Sequence, residues 1–187
     1  MINNLGGKKR QQGVTLLEMM IALAVSAIVL TLVAPNVQNI LTKNRITAEI
    51  NEMSGLLQFA RFTSIDQRTT TIVCPSSDFE TCSNDWDAPK IVFIDANGND
   101  SRDNDEPLLQ SSQNISRNNN MTSTANLIRF LDIGGTDTPA TITLCPDSNE
   151  ATYARALFVT LQGRSRISTD ANNDGTHEDA DGDNITC

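Results

Sequence analysis

The stretch Gly13-Val14-Thr15-Leu16-Leu17-Glu18-Met19-Met20-Ile21-Ala22-Leu23-Ala24-Val25-Ser26-Ala27-Ile28-Val29-Leu30-Thr31-Leu32-Val33 decides how the chain is built. From Val14 to Val33 there are 20 residues, and Glu18 is the only charged one. As a helix this segment is roughly 30 Å long, the thickness of a bilayer's hydrocarbon core. Lys8, Lys9 and Arg10 precede it, a bias that keeps the N-terminus on the cytoplasmic side and sends the rest outward. Glu18 is out of place. A carboxylate inside a membrane helix costs about 2.5–3.5 kcal/mol even on lenient scales, so it needs a partner or a function.

One cleavage supplies both. Cutting between Gly13 and Val14 removes the three basic residues and leaves a free amine one helical turn from Glu18. That amine can pair with its own Glu18 or, in a bundle, with a neighbour's. The run Lys8-Lys9-Arg10-Gln11-Gln12-Gly13-Val14-Thr15-Leu16-Leu17-Glu18 resembles the class III signal of type IV pilins and pseudopilins. The resemblance implies a dedicated prepilin peptidase that cuts after Gly13, N-methylation of Val14, and subunit docking guided by Glu18. Val14 stands where the family usually has Phe, a position required only to be apolar. An ordinary signal peptide would need a small-x-small site after the apolar run, and Ala34 is followed by Pro35. An ordinary single-pass anchor accounts for the length and leaves Glu18 unexplained.

With residues 1–13 as a removed leader and 14–35 as a transmembrane, filament-core helix, residues 36–187 form a head outside the cytoplasm. The full chain carries 14 basic and 23 acidic residues; losing the leader leaves 11 basic, a net charge of −12. Such a surface disfavours broad binding to nucleic acid or anionic lipid. Cys74, Cys82, Cys145 and Cys187 all follow the anchor, and an even count in an exported domain reads as two disulfides. Of the three pairings, Cys74–Cys82 with Cys145–Cys187 closes two polar, turn-rich stretches. A metal site would want tighter Cys-x-x-Cys spacing.

Pro35 can kink or loosen the helix without ending it. Beyond it Ile46, Ile50, Met53, Leu57, Ala60 and Ser64 advance by alternating fours and threes, one stripe of an amphipathic helix reaching about residue 65. Lys43, Asn44, Glu49, Asn51 and Glu52 fall mostly on other faces. Then the period changes. Runs 70–74, 91–95, 127–131, 140–145 and 156–160 are short and β-prone, 107–110 and 164–168 are weaker candidates, and 111–123 reads as a polar connection. The expected class is α+β: a long N-terminal helix packed against antiparallel sheets. Cys74-Pro75 and Cys145-Pro146, the strand and turn of 91–106, and Gly163-Arg164-Ser165-Arg166 are similar to the minor-pilin and pseudopilin family called GspH/FimT. That likeness implies a long helix wrapped by two β-sheets.

Two loops carry crowded oxygen side chains. Asp95, Asn97, Asn99, Asp103 and Glu106 follow the spacing of a calcium loop, with Asp100 where glycine is usual. Asp170, Asn172, Asp174, Glu178 and Asp181 fit better, with Gly175 in place. Exposed turns use the same residue types. Arg164 and Arg166, if both lie on a strand, share one face at a spacing that suits adjacent phosphates. DNA-uptake members of the family carry a similar Gly-Arg-x-Arg motif, which implies weak, sequence-independent DNA binding against the alternative of ion pairing with nearby carboxylates. His177, the lone histidine, reads as an exposed loop residue, and no catalytic motif stands out, so the chain reads as a non-enzyme needing no cofactor, with Ca²⁺ a candidate.

The reading is therefore a minor pilin or pseudopilin, anchored in the inner membrane and assembled with other pilins into a filament, with a type II secretion pseudopilin as one variant. From another class, the alternative is a membrane-anchored calcium-binding or adhesive module that never assembles.

Overall fold

The computed structural model describes residues 13–187, without the side chains of 32–35. Lys8, Lys9 and Arg10, the source of the charge bias, lie outside the described residues, as does the side chain of Pro35. The chain divides into two units, the residues up to Ile40 and Leu41–Cys187, and helix α1 (Leu16–Gln67) contributes to both.

In the first unit α1 is apolar on every side. Leu16, Leu17, Met19, Ile21, Leu23, Ile28 and Leu30 are each more than half exposed. It is long and apolar enough to cross a membrane, and its most apolar 18-residue window has a mean hydropathy of 2.5.

In the second unit α1 becomes one-sided. Ile46, Ile50, Met53, Leu57, Ala60 and Ser64, the stripe read from the sequence, are all buried, and Leu56 joins them. The helix ends where Arg68 turns left-handed (φ 51°) and the amide of Thr69 donates to the carbonyl of Ser64 at 3.2 Å. That six-to-one bond closes a helix C-terminus in the Schellman manner.

Two four-stranded antiparallel sheets follow. The first has the order β3 (Leu108–Ser111), β2 (Lys90–Ile94), β1 (Thr71–Pro75), β5 (Ile128–Phe130). The second has the order β4 (Asn119–Ser123), β6 (Ala140–Pro146), β7 (Arg155–Val159), β8 (Ser165–Ile167). The inner faces of both sheets close on the helix stripe in one core that includes Val73, Val92, Phe130, Ile142, Leu144 and Leu157. Each sheet also has an outer apolar cluster. Ile72, Cys74, Ile91 and Phe93 are covered by Cys82 and Leu127; Ala156 and Phe158 are covered by Ile185 and Cys145.

The expected strands form, with ends shifted by a residue or two. The connection 111–123 does not stay a connection, because its last five residues are β4. Asn119-Asn120-Met121-Thr122-Ser123 has weak strand propensity, but it pairs with β6 from Asn119↔Pro146 to Ser123↔Ile142 and buries Met121. Tertiary partners override local preference here.

Candidate functional site

Gly13, Val14 and Thr15 precede the helix. The Thr15 carbonyl accepts the first intrahelical bond, from the Met19 amide at 3.1 Å, and its Oγ1 accepts the Glu18 amide at 3.2 Å. Thr15 is therefore the N-cap, and Thr-Leu-Leu-Glu is a capping-box sequence with Glu18 in the first turn. A carboxylate there lies against the positive end of the helix dipole. An added Cβ on Gly13 meets nothing within 4 Å, so packing inside this chain does not call for glycine. Gly13 and Val14 are exposed and lie ahead of the helix.

The head carries two disulfides, Cys74–Cys82 with Cα atoms 5.5 Å apart and Cys145–Cys187 at 5.8 Å. The first closes a loop over the outer face of the first sheet. The second ties the C-terminus to the end of β6.

The oxygen-rich loops turn their carboxylates onto their own backbones. Asp95 accepts the amides of Gly98, Asn99 and Asp100, and Glu106 those of Ala96 and Asp103. Asp103 accepts the side-chain amides of Asn97 and Asn99. Asp100, at the position that wants glycine, is left-handed (φ 66°) and ion-paired to Arg129. In the C-terminal loop Asp170 accepts the amides of Asp174 and Gly175, and Glu178 those of Ala171 and Asn172. The Asn184 side-chain amide and the Thr176 amide hold the Asp174 carboxyl below its ordinary range. Asp181 donates its amide to the Asp179 carboxylate. Among the described residues, no three His, Cys, Asp or Glu side chains are grouped to hold a metal ion.

The two arginines do not share a strand. β8 begins at Ser165, so Arg164 sits at the hairpin mouth, where its carbonyl accepts the Thr160 amide. Arg164 lines an open depression with Arg61, Phe62 and Ile65 of α1. Arg166 lies over the Phe158 ring, 4.8 Å from its centroid, and borders a second depression with Asp179 and Asp181. Of the two, only Arg166 lies within the strand, and they border different depressions. His177 also departs from expectation. It is partly buried, its Nδ1 lies 2.7 Å from the Ser168 carbonyl, and burial and the Arg155 charge lower its pKa.

Two features escaped the sequence reading. Glu49 accepts the Ser116 amide at 2.8 Å and the Asn119 side-chain amide at 2.6 Å, while Arg45 donates to Asn119 from the same helix face. Lys90 is 2 % exposed in the core beside Glu49, Glu52 and Met53, and burial lowers its pKa to about 8. Only the spacing of Arg45 and Glu49, four apart on a helix, hinted at the first.

The model of the type II transport protein GspH matches residues 49–163, and the prokaryotic N-terminal methylation motif matches residues 8–34. The chain belongs to the GspH family. The type IV minor pilin FimU of Pseudomonas aeruginosa superposes with a TM-score of 0.54 at 17% identity, over 67% of this chain and 90% of that one. The minor pseudopilin EpsH of the Vibrio cholerae type 2 secretion system gives 0.51 at 11%, over 68% and 98%. These likenesses show the fold: one long helix with two antiparallel sheets. A search of curated protein sequences finds no significant match.

Proposed function

We propose that this GspH-family chain is a minor pilin or pseudopilin, cut between Gly13 and Val14 by prepilin peptidase, methylated on Val14, and assembled through α1 into a filament. Before assembly it spans the inner membrane once, with residues 36–187 outside the cytoplasm. The observation that carries the reading is the N-terminal methylation motif running into an all-round apolar helix whose first turn holds Glu18. Among the described residues nothing covers this apolar helix, so lipid or neighbouring helices must.

The steps follow from the local geometry. The scissile bond lies ahead of the cap, so the peptidase need not unwind α1. Cleavage replaces a neutral amide with an amine, and the carboxylate that was costly in lipid gains a charge partner one turn away. In a filament the partner is a neighbour's amine, which sets the axial step between adjacent subunits. A mispaired register leaves two charges buried without partners, at a cost of several kcal/mol.

The test is to shear filaments from cells expressing the tagged chain and sequence its N-terminus. Recovery in filaments with methylated Val14 first is expected. Full-length chain confined to the membrane and starting at Met1 would instead favour an anchored module that does not assemble.

A further inference from the structure

Residues 169–187 form a segment that its own composition does not hold in place. It carries six carboxylates, Asp170, Asp174, Glu178, Asp179, Asp181 and Asp183, no lysine or arginine, and one large apolar side chain, Ile185. Such a stretch buries too little to stay ordered alone. Its carboxylates are spent on amides of the same segment: Asp170 on Asp174 and Gly175, Glu178 on Ala171 and Asn172, Asp179 on Asp181, Gly182 and Asp183. The rest of the head holds it in other ways. His177 Nδ1 lies 2.7 Å from the Ser168 carbonyl, Ile185 is buried against Ala154, Ala156 and Phe158, and the Cys145–Cys187 bond ties it to the end of β6.

That disulfide is open to attack. Cys187 is exposed, and with Cys145 it lines an open depression of about 680 Å³ beside Thr122, Thr143 and Thr186. Cys74, in the other disulfide, is 0 % exposed on the outer face of the first sheet. The two bonds also differ in span. Cys145–Cys187 joins residues 42 apart in sequence, against 8 for Cys74–Cys82, so breaking it restores more chain freedom.

We propose that 169–187 is a redox-operated strap: a dithiol opens Cys145–Cys187 ahead of Cys74–Cys82 and uncovers the apolar outer face of the second sheet. A thiolate of the dithiol attacks the Cys187 sulfur, a mixed disulfide forms, and Cys145 leaves as its thiolate. The second thiolate of the reductant then displaces Cys187. Two electrons pass to the protein, the dithiol becomes a disulfide, and both cysteines take protons from water. The opened strap keeps only its weaker fasteners, while its six like charges repel one another. Ala156 and Phe158, buried beneath Ile185 when the strap is closed, then face water. Oxidation refastens the strap, so the cover on this sheet follows the thiol–disulfide balance around the head. The device depends on these local contacts and stands whether or not the chain assembles.

The test equilibrates the full chain in detergent micelles with mixtures of reduced and oxidised dithiothreitol, then alkylates free thiols and maps them by mass spectrometry. Cys145 and Cys187 should be alkylated at a reduced-to-oxidised ratio about tenfold lower than Cys74 and Cys82. At that ratio, hydrogen exchange at the Glu178 and Ile185 amides, now bonded to the Thr169 and His177 carbonyls, should accelerate about tenfold. Hydroxyl-radical labelling of Phe158 should rise with it, while β1, β2 and β6 stay protected. Cys187→Ser should show the same fast exchange without any dithiol. Equal reducibility of the two bonds, or earlier opening of Cys74–Cys82, overturns the proposal. So does a reduced chain in which Glu178 and Ile185 stay protected, since Ile185 and His177 would then suffice as fasteners. Loss of protection throughout the head also overturns it, because the bond would then be a staple of the whole fold.

Discussion

Lys90 shows how much one buried group can matter. Its ammonium sits in the core, its pKa lowered to about 8, chiefly by desolvation, with Asp87 and Glu49 offsetting part of the cost. The folded pKa is below the unfolded value of 10.5, so between pH 8 and 10.5 the unfolded chain binds more protons than the folded one. Stability therefore rises as pH increases across that window, and the whole penalty is present below it. Urea titrations should show a gain on the order of 2–3 kcal/mol from pH 8 to 10.5. Lys90→Met should raise stability at pH 7 by about 1–3 kcal/mol and flatten that rise. An unchanged pH profile in the variant would assign the titration elsewhere. Gly163 makes the opposite point. With φ at 71° and the Gly134 carbonyl where a Cβ would go, Gly163→Ala should cost about 2 kcal/mol or more by thermal melting.

At the scale of elements, β4 is the informative case. Polar ties hold this edge strand and its flanks. Glu49 binds Ser116 and Asn119, Asp87 accepts the Met121 amide at 2.7 Å, and Trp86 donates to the Ala125 carbonyl at 3.1 Å. Glu49→Ala leaves a backbone amide and a side-chain amide without their acceptor, so it should cost about 1–3 kcal/mol. Hydrogen exchange should accelerate across 116–123 while β6 and β7 stay protected. Uniform acceleration would mean β4 is not a separable unit. The disulfides act at the same scale. Their sequence separations are 8 and 42 residues, and removing either with paired serines should cost about 2–4 kcal/mol, the longer loop more.

For the whole molecule the question is what α1 does with Glu18. Glu18→Ala removes a charge that is costly in lipid, so membrane insertion should be preserved or eased. On the docking role proposed for Glu18, filament incorporation should fall at least tenfold. Quantitative blotting of membrane and sheared fractions separates the two, and equal incorporation of wild type and variant would reject the docking role.

Much of this protein was legible in order of sequence. The apolar run, its single carboxylate and the helix stripe are local patterns, fixed by residue spacing of one to four, and they lead directly to the N-terminal methylation motif and to α1. The strand runs were also readable, as short β-branched and aromatic stretches between turn residues, with β1, β2 and β7 largely apolar because both their faces are buried. Tertiary structure decided what depends on distant partners. β4 exists because β6, Glu49 and Asp87 satisfy a segment with no strand pattern of its own. Arg164 and Arg166 part company because a hairpin mouth ends β8 between them. Lys90 is buried beside helix residues far from it in sequence, and His177 is partly buried against Ser168. Phe79 is left-handed (φ 63°) in a loop where the Asp78 carboxylate accepts the amides of Glu80 and Thr81. Spacing along the chain specifies what neighbours can do together; burial and pairing across it are set only when the sheets close on the helix.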